Sequence, residues 1–228
     1  MAEEQRRARY LEALGIEQWV RRAMPAEVSE ADTPAISLGE SDWITLQACV
    51  RNCQRCSLHQ TRTQTVFGVG DPAAQWMVVG EAPGVDEDRQ GEPFVGAAGQ
   101  LLNAMLAAIY LPRESVFIAN VVKCRPPGNR DPRPEEVVQC LPYLHRQISL
   151  VRPLIILAFG RVAAQNLLNT ETPIGKLRGR VHRSGALNTP IIVTYHPAYL
   201  LRNPGEKRKV WEDLKFARRI FVELSAKT

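Results

Sequence analysis

No stretch of the 228-residue sequence approaches the apolar length that a membrane span requires, and the charged N-terminus has no apolar signal-peptide core behind it. Both absences lead to the expectation of a cytoplasmic protein with no membrane partner. An even set of cysteines is also missing. There are five, which in a reducing compartment argues against a disulfide framework and for metal ligation or catalysis. Charge is not extreme either: a net charge of +5 and a pI near 9.1 are mild. They nevertheless lean toward DNA or another polyanion rather than a membrane surface. With 45% apolar residues, the chain is long enough for one domain with a substantial core, plus an appendage.

What is present is organised around residues 80–99, GEAPGVDEDRQGEPFVGAAG. The apolar run 76–79 enters this stretch and a helical pattern, 100–109, leaves it, so a strand passes through a loop into a helix. Glycines at 80, 84, 91, 96 and 99 let the backbone turn sharply and approach a ligand without a Cβ in the way. Glu81, Asp86, Glu87 and Asp88 gather on the loop. Carboxylates at the carboxyl end of a strand are where an α/β protein builds a site. An acidic turn before a helix N-terminus is the plainer account of the same residues.

Further along, 116–122 is a β-branched run, 154–159 a fully apolar one, and 190–194 a last buried strand before Tyr195-His196-Pro197. Prolines at 126, 127, 132 and 134 forbid regular structure until Pro134, which suits the first turn of a helix over 135–150, kinked at Pro142. Helices also follow Gly160 and span 209–224, and a short one over 43–50 takes Ser41 or Asp42 as its cap. Strands alternating with helices give a three-layer α/β/α sandwich on a four-stranded parallel sheet.

Cys53-x-x-Cys56 places two thiols one turn apart, and Cys124 and Cys140 supply two more at long range. Spacing leaves structural zinc, an iron–sulfur cluster and buried free thiols all open. The N-terminus is a different kind of segment. Residues 6–22 carry apolar positions among arginines, including Leu11, Leu14, Ile16 and Trp19, and residues 25–42 are polar, acidic and aperiodic. This reads as an amphipathic peptide at 1–24, a flexible linker at 25–42 and a folded domain at 43–228. Such a peptide either docks on its own domain or fills another protein's groove.

That peptide, with Arg6-Arg7, Leu11, Leu14-Gly15-Ile16, Gln18-Trp19 and Arg21-Arg22, resembles the N-terminal segment of the psi subunit of the DNA polymerase III clamp loader. The resemblance implies that it binds the collar of the DnaX subunits, while the body holds a chi subunit and, through it, single-strand binding protein. A second and longer resemblance covers the rest. GEAPGVDED with GEPFVG, IANVVKCRPP, NRDP and TYHPAYLLRNP, with cysteines at 53, 56, 124 and 140, resemble the family 4 uracil-DNA glycosylases. It implies a [4Fe-4S] cluster on Cys53, Cys56, Cys124 and Cys140, with Cys49 a bystander.

Under the second resemblance each residue acquires a task. An extruded base needs a flat apolar wall, for which Phe94 stands, and a reader of its edge. The Asn120 amide both donates and accepts, matching uracil O4 and N3–H. His196 and nearby backbone N–H groups suit the charge that develops on uracil O2, while Glu81 or Glu87 suits the sugar cation or the attacking water. Gly80 and Ala82 complete the substrate site. Ala82 stands where some other uracil-glycosylase families carry an aspartate, which puts the activating carboxylate in question. The 197–202 loop would hold the gap left by the flipped base. Lys123 and arginines that include Arg125, Arg130, Arg178 and Arg202 form a candidate phosphate track for DNA. Two functions follow. The sequence reading favours a psi-type accessory subunit built on the glycosylase fold, with glycosylase activity left open; the alternative is an active enzyme that excises uracil from DNA.

Overall fold

The structure is a computed structural model that describes residues 41–183 and 188–226 together with Arg6. Leu11, Leu14, Ile16 and Trp19 therefore lie outside the described residues. The described fold belongs to a unit running from Ser37 to Thr228.

Helix α1 (Trp43–Arg51) starts at Asp42, whose side chain accepts the Thr45 N–H at 2.7 Å and so satisfies one of the orphan donors of the first turn. Leu46 and Val50, four apart, turn into the core. Strands β1 (Val69–Gly70) and β2 (Trp76–Gly80) come next, followed by α2 (Val85–Gln90) and α3 (Ala97–Ala107). Much of the glycine-rich stretch is thus helical. Then come β3 (Val116–Asn120), α4 (Pro134–Val151), β4 (Ile155–Phe159), α5 (Arg161–Leu168) and α6 (Ile174–Leu177). The chain continues through β5 (Val181–Arg183), β6 (Pro190–Thr194), α7 (Pro197–Arg202) and α8 (Lys207–Ser225). Pro134 sits in the first turn of α4, where its missing N–H costs nothing, and the helix continues through Pro142 in one span.

The sheet has six strands in the order β1-β3-β2-β4-β6-β5. Its inner four, β3, β2, β4 and β6, are parallel, and the two edges are antiparallel. The four apolar runs of the sequence are these inner strands. The edges went unread because β1 is two residues long, β5 is three, and neither is buried enough to print a pattern. At Gly70, with φ +111°, a Cβ would lie 1.8 Å from the Val116 carbonyl oxygen, so glycine is what lets β1 pair.

Side-chain alternation along the strands makes the layers. Met77, Val79, Phe117, Ala119, Ile156, Ala158, Ile191 and Val193 face one side, against Leu46 and Val50 of α1, Val137, Leu144 and Ile148 of α4 and Ala164 and Leu167 of α5. Trp76, Val78, Val116, Ile118, Ile155, Leu157 and Ile192 face the other, against Leu102 and Leu106 of α3, Leu200 of α7 and Val210, Leu214 and Ala217 of α8. The arrangement is an α/β/α sandwich. From β2 the chain crosses to β3 on one flank, whereas from β4 it proceeds to β6 on the other, so the order reverses between β2 and β4. Ligands of open α/β sheets bind outside the carboxyl ends of strands at such a reversal.

Candidate active site

The crevice at that reversal is tightest around Gly80, the last residue of β2. A Cβ there would lie 2.4 Å from Asn120 Oδ1 and 2.5 Å from Phe94 Cζ, so the absence of a side chain is what brings those two groups together. Asn120 ends β3 in register with Gly80. It is 2% exposed, and its Oδ1 is buried with no hydrogen-bond partner among the described residues. Leaving such an oxygen unpaired costs about 1–3 kcal/mol, a cost that a ligand N–H would remove.

Phe94 is buried and sits at φ +55°, a left-handed conformation that the surrounding loop has to impose. Glu87 supplies part of that constraint. Its Oε1 accepts the N–H groups of Val95 at 2.9 Å and Gly96 at 3.1 Å, and its Oε2 accepts Gly84 N–H at 3.0 Å. Asp88 is buried and accepts Thr63 N–H with both oxygens. Asp86 is exposed. The four carboxylates of the loop thus divide: Glu81 faces the cavity, Glu87 and Asp88 brace the backbone, and Asp86 meets solvent.

His196 follows β6 and caps α7. Its Nδ1 accepts the Ala198 N–H at 3.2 Å, which assigns the proton to Nε2 and leaves that nitrogen as a donor. Burial, then the neighbouring Arg202, pulls its pKa down to about 4, so the ring is neutral at pH 7. Glu81 moves the other way. Burial, then Asp131, pushes its carboxyl up to about 7, opposed by Arg161. Asp131 and Arg161 form an ion pair with each other.

Glu81, Ala82, Glu87, Phe94, Asn120 and His196 line one cavity of about 780 Å³, and Gly80 abuts it through Asn120 and Phe94. Asp131, Arg161, Tyr195, Tyr199 and Arg202 share the lining. The sequence reading passed over Asp131, Arg161 and Tyr195 as site residues, and placed Tyr199 only in the loop that would hold the gap left by the flipped base. Arg161 was within reach, since it stands just past the end of a buried strand, as Glu81 does. Two cations of the expected phosphate track are instead spent inside the protein. Lys123 is 1% exposed, and the Arg178 guanidinium pairs with buried Asp213 at 2.7 Å.

A second pocket is lined by Cys53, Cys56, Cys124 and Cys140 with Val50, Leu58, Arg62 and Tyr143, and Cys49 is not part of it. Among the described residues no group of three or more His, Cys, Asp or Glu side chains is gathered so as to hold a metal ion. The donor chemistry nevertheless suits a thiolate-held cluster. Arg62 Nη1 donates to Cys124 Sγ at 3.0 Å and Lys123 N–H to Cys140 Sγ at 3.2 Å. Hydrogen bonds of this kind support and tune thiolate sulfurs. Burial pushes the Cys140 thiol up to about 12 and raises Cys124, with Lys123 and Arg62 respectively working against it, so deprotonation there calls for a further positive centre.

Comparison with known proteins bears on this geometry. A family model described as the uracil DNA glycosylase superfamily matches residues 67–215. The type-4 uracil-DNA glycosylase of Archaeoglobus fulgidus is 49% identical over 172 residues, covering 73% of this chain and 86% of the relative. Those of Sulfurisphaera tokodaii and Pyrobaculum aerophilum are 46% identical over 180 residues (76% and 82%) and 43% over 175 residues (74% and 89%). These relatives support the glycosylase alternative over the clamp-loader reading. No helix among the described residues is long and apolar enough to cross a membrane.

Proposed function

We propose, since this chain belongs to the uracil DNA glycosylase superfamily, that it is an active type-4 uracil-DNA glycosylase, hydrolysing the bond between uracil and deoxyribose in DNA. The observation that carries the reading is the unpartnered Asn120 Oδ1, buried in a cavity shared with a neutral His196 whose Nε2 carries a proton. In a flipped uracil, N3–H would donate to Asn120 Oδ1 and O4 would accept from the same amide, while the ring rests on Phe94. As the N1–C1′ bond breaks, its electron pair leaves with the base. The Nε2–H of His196 then donates to the developing O2 anion, and a neutral donor does so without first surrendering a proton.

The positive charge left on the sugar requires an anion or an activated water on the opposite side. Glu81 is the group assigned to that task. Glu87, with both oxygens committed to backbone N–H groups, positions the Phe94 loop. Cys53, Cys56, Cys124 and Cys140 would hold a [4Fe-4S] cluster, which when bound supplies a cross-link between the end of α1, the segment after β3 and α4. Residues 1–24, on the 25–42 linker, would form a peptide that recruits the enzyme to a partner.

The test is direct. The full-length protein, incubated with a uracil-containing single-stranded oligonucleotide, should release free uracil and leave an abasic site. His196→Ala should slow release by about 10²–10³-fold, the loss typical for one donor to an oxyanion. Failure of the wild-type protein at high concentration to release any uracil would sink the reading.

A further inference from the structure

We propose that Lys123, which has no part in the chemistry above, is the positioning residue for the base-reading amide: it fixes Asn120 from behind and ties it to the segment that carries Cys124. The inference rests on the glycosylase reading. Its starting point is that Lys123 is 1% exposed, among the largest fully buried side chains of the described residues. An ammonium at such a place needs hydrogen-bond partners, and two of its three hydrogens have them. One goes to the Asn120 carbonyl at 2.8 Å and another to Gln147 Oε1 at 2.6 Å. Gln147, itself fully buried, passes the constraint on through Nε2 to the Phe67 carbonyl at 2.9 Å.

The geometry explains why the contact matters for the pocket. Lys123 reaches back three residues and closes a ring on the carbonyl of Asn120. That bond holds the peptide plane following Asn120 from its carbonyl side, while the Val121 N–H of the same plane donates to the Gly80 carbonyl at 3.0 Å, and together they set the rotation about the Asn120 Cα–C bond and the direction in which Cβ leaves. The opposite side of the same residue is set by the bare Gly80, whose missing Cβ leaves room for Oδ1. Lys123 is also held at both ends of its own backbone, by N–H to Cys140 Sγ at 3.2 Å and by its carbonyl, which accepts Val66 N–H at 2.8 Å. The amide that reads the base is therefore one ring of hydrogen bonds away from the cysteine pocket. A methionine in place of Lys123 keeps an unbranched chain but leaves the Asn120 carbonyl and Gln147 Oε1 without this donor, so the peptide after Asn120 is held only through the Val121 N–H and can tilt. A displacement near 1 Å is enough to cost about 10²-fold in rate.

The test is a double-mutant cycle in the full-length, iron-loaded protein: wild type, Lys123→Met, Asn120→Ala and the double variant. Single-turnover uracil release and inhibition by free uracil are read, with iron content and affinity for abasic-site DNA as controls. Lys123→Met should weaken uracil inhibition by about ten-fold and slow release by about 10- to 10²-fold in the wild-type background, yet change either by less than about three-fold once Asn120 is alanine. Iron content and abasic-DNA affinity should stay as in the wild type. Equal losses in both backgrounds would overturn the proposal, because Lys123 would then act on the fold at large. Should Lys123→Met lose its iron, Gln147→Met, which strips the same ammonium of a partner and touches no cysteine, runs through the same cycle, and additivity with Asn120→Ala overturns the proposal equally. A wild-type protein that binds free uracil but releases none from DNA would defeat the glycosylase reading alone, and the cycle in uracil affinity would still decide this one.

Discussion

The Phe94 ring lies over the His196 imidazole, with centroids 5.4 Å apart and planes 27° from parallel. An aromatic face attracts a cation by about 0.5–2 kcal/mol and would favour imidazolium. Burial, then Arg202, pulls His196 down to about 4 against Glu87, and a ring attraction of about 2 kcal/mol, worth roughly 1.5 pH units, leaves it neutral at pH 7 all the same. The consequence is a histidine that donates a hydrogen bond at neutral pH without carrying charge, pressed against the wall on which the base would rest.

Glu81 sets the pH dependence. If the carboxylate is the working form, uracil release should rise with pH through about 7 and level off above it, since burial and Asp131 hold the group protonated below that value. Glu81→Gln should remove this limb along with most of the rate. Asp131→Asn should move the limb to lower pH, because it deletes a charge that raises Glu81 and frees Arg161, which lowers it. In stability the sign is opposite. Folded Glu81 keeps a proton that the unfolded chain releases near 4.5, so its contribution falls as pH rises from there to about 7. A pH–rate profile with no limb near 7 would remove Glu81 from the proposed role.

Gly80 is the sharpest steric test of the pocket. A methyl group there meets Asn120 Oδ1 at 2.4 Å and the Phe94 ring at 2.5 Å, so Gly80→Ala must push aside both base-binding groups. Overpacking of this kind costs about 1–3 kcal/mol of stability. Free-uracil affinity should drop more steeply than thermal stability, and both are read on the same purified protein. Unchanged uracil affinity would show that the base sits elsewhere.

The roles of the site residues were legible through the resemblance to the family 4 uracil-DNA glycosylases, while strand ends account for where some of them stand. Asn120 closes β3 and His196 lies two residues past β6, so the parallel strands bring both to one edge of the sheet. Glu81, next to Gly80, follows from the same logic. What pattern could not reveal is direction within a loop. Glu81, Glu87 and Asp88 look alike in sequence, yet only the folded backbone shows that the last two are committed to N–H groups. Lys123 illustrates the opposite failure. Its charge places it on a surface track, whereas the hydrogen bonds that make its burial tolerable come from Asn120 and from Gln147, far along the chain.

Cysteine replacements separate ligand from bystander. Purified protein should be brown, from thiolate-to-iron charge transfer, with iron in proportion to protein. Cys124→Ser should bleach the colour and destabilise the domain, since the thiol is buried in the pocket it shares with Cys53, Cys56 and Cys140. Cys49→Ser should leave iron and melting temperature unchanged. Metal analysis that finds stoichiometric zinc and no iron would replace the cluster with a different centre.

The N-terminal segment gives a prediction that distinguishes recruitment from catalysis. Glu81, Asn120 and His196 all belong to the unit from Ser37 onward, so removing residues 1–24 should leave uracil release, iron content and salt-dependent DNA affinity as they are in the full chain. If the peptide is a docking element, the same deletion should abolish association with the DnaX collar in a pull-down. Within it, Trp19→Ala should cost at least about 2 kcal/mol of that affinity, because a buried aromatic anchor carries most of a peptide's binding energy. Arg21 and Arg22 should contribute less, and less again as salt is raised, as exposed charges do. A truncated protein that still binds DnaX, or an intact one that never does, would end the docking proposal without touching the chemistry. Loss of uracil release on truncation would instead make the peptide part of the DNA-binding surface.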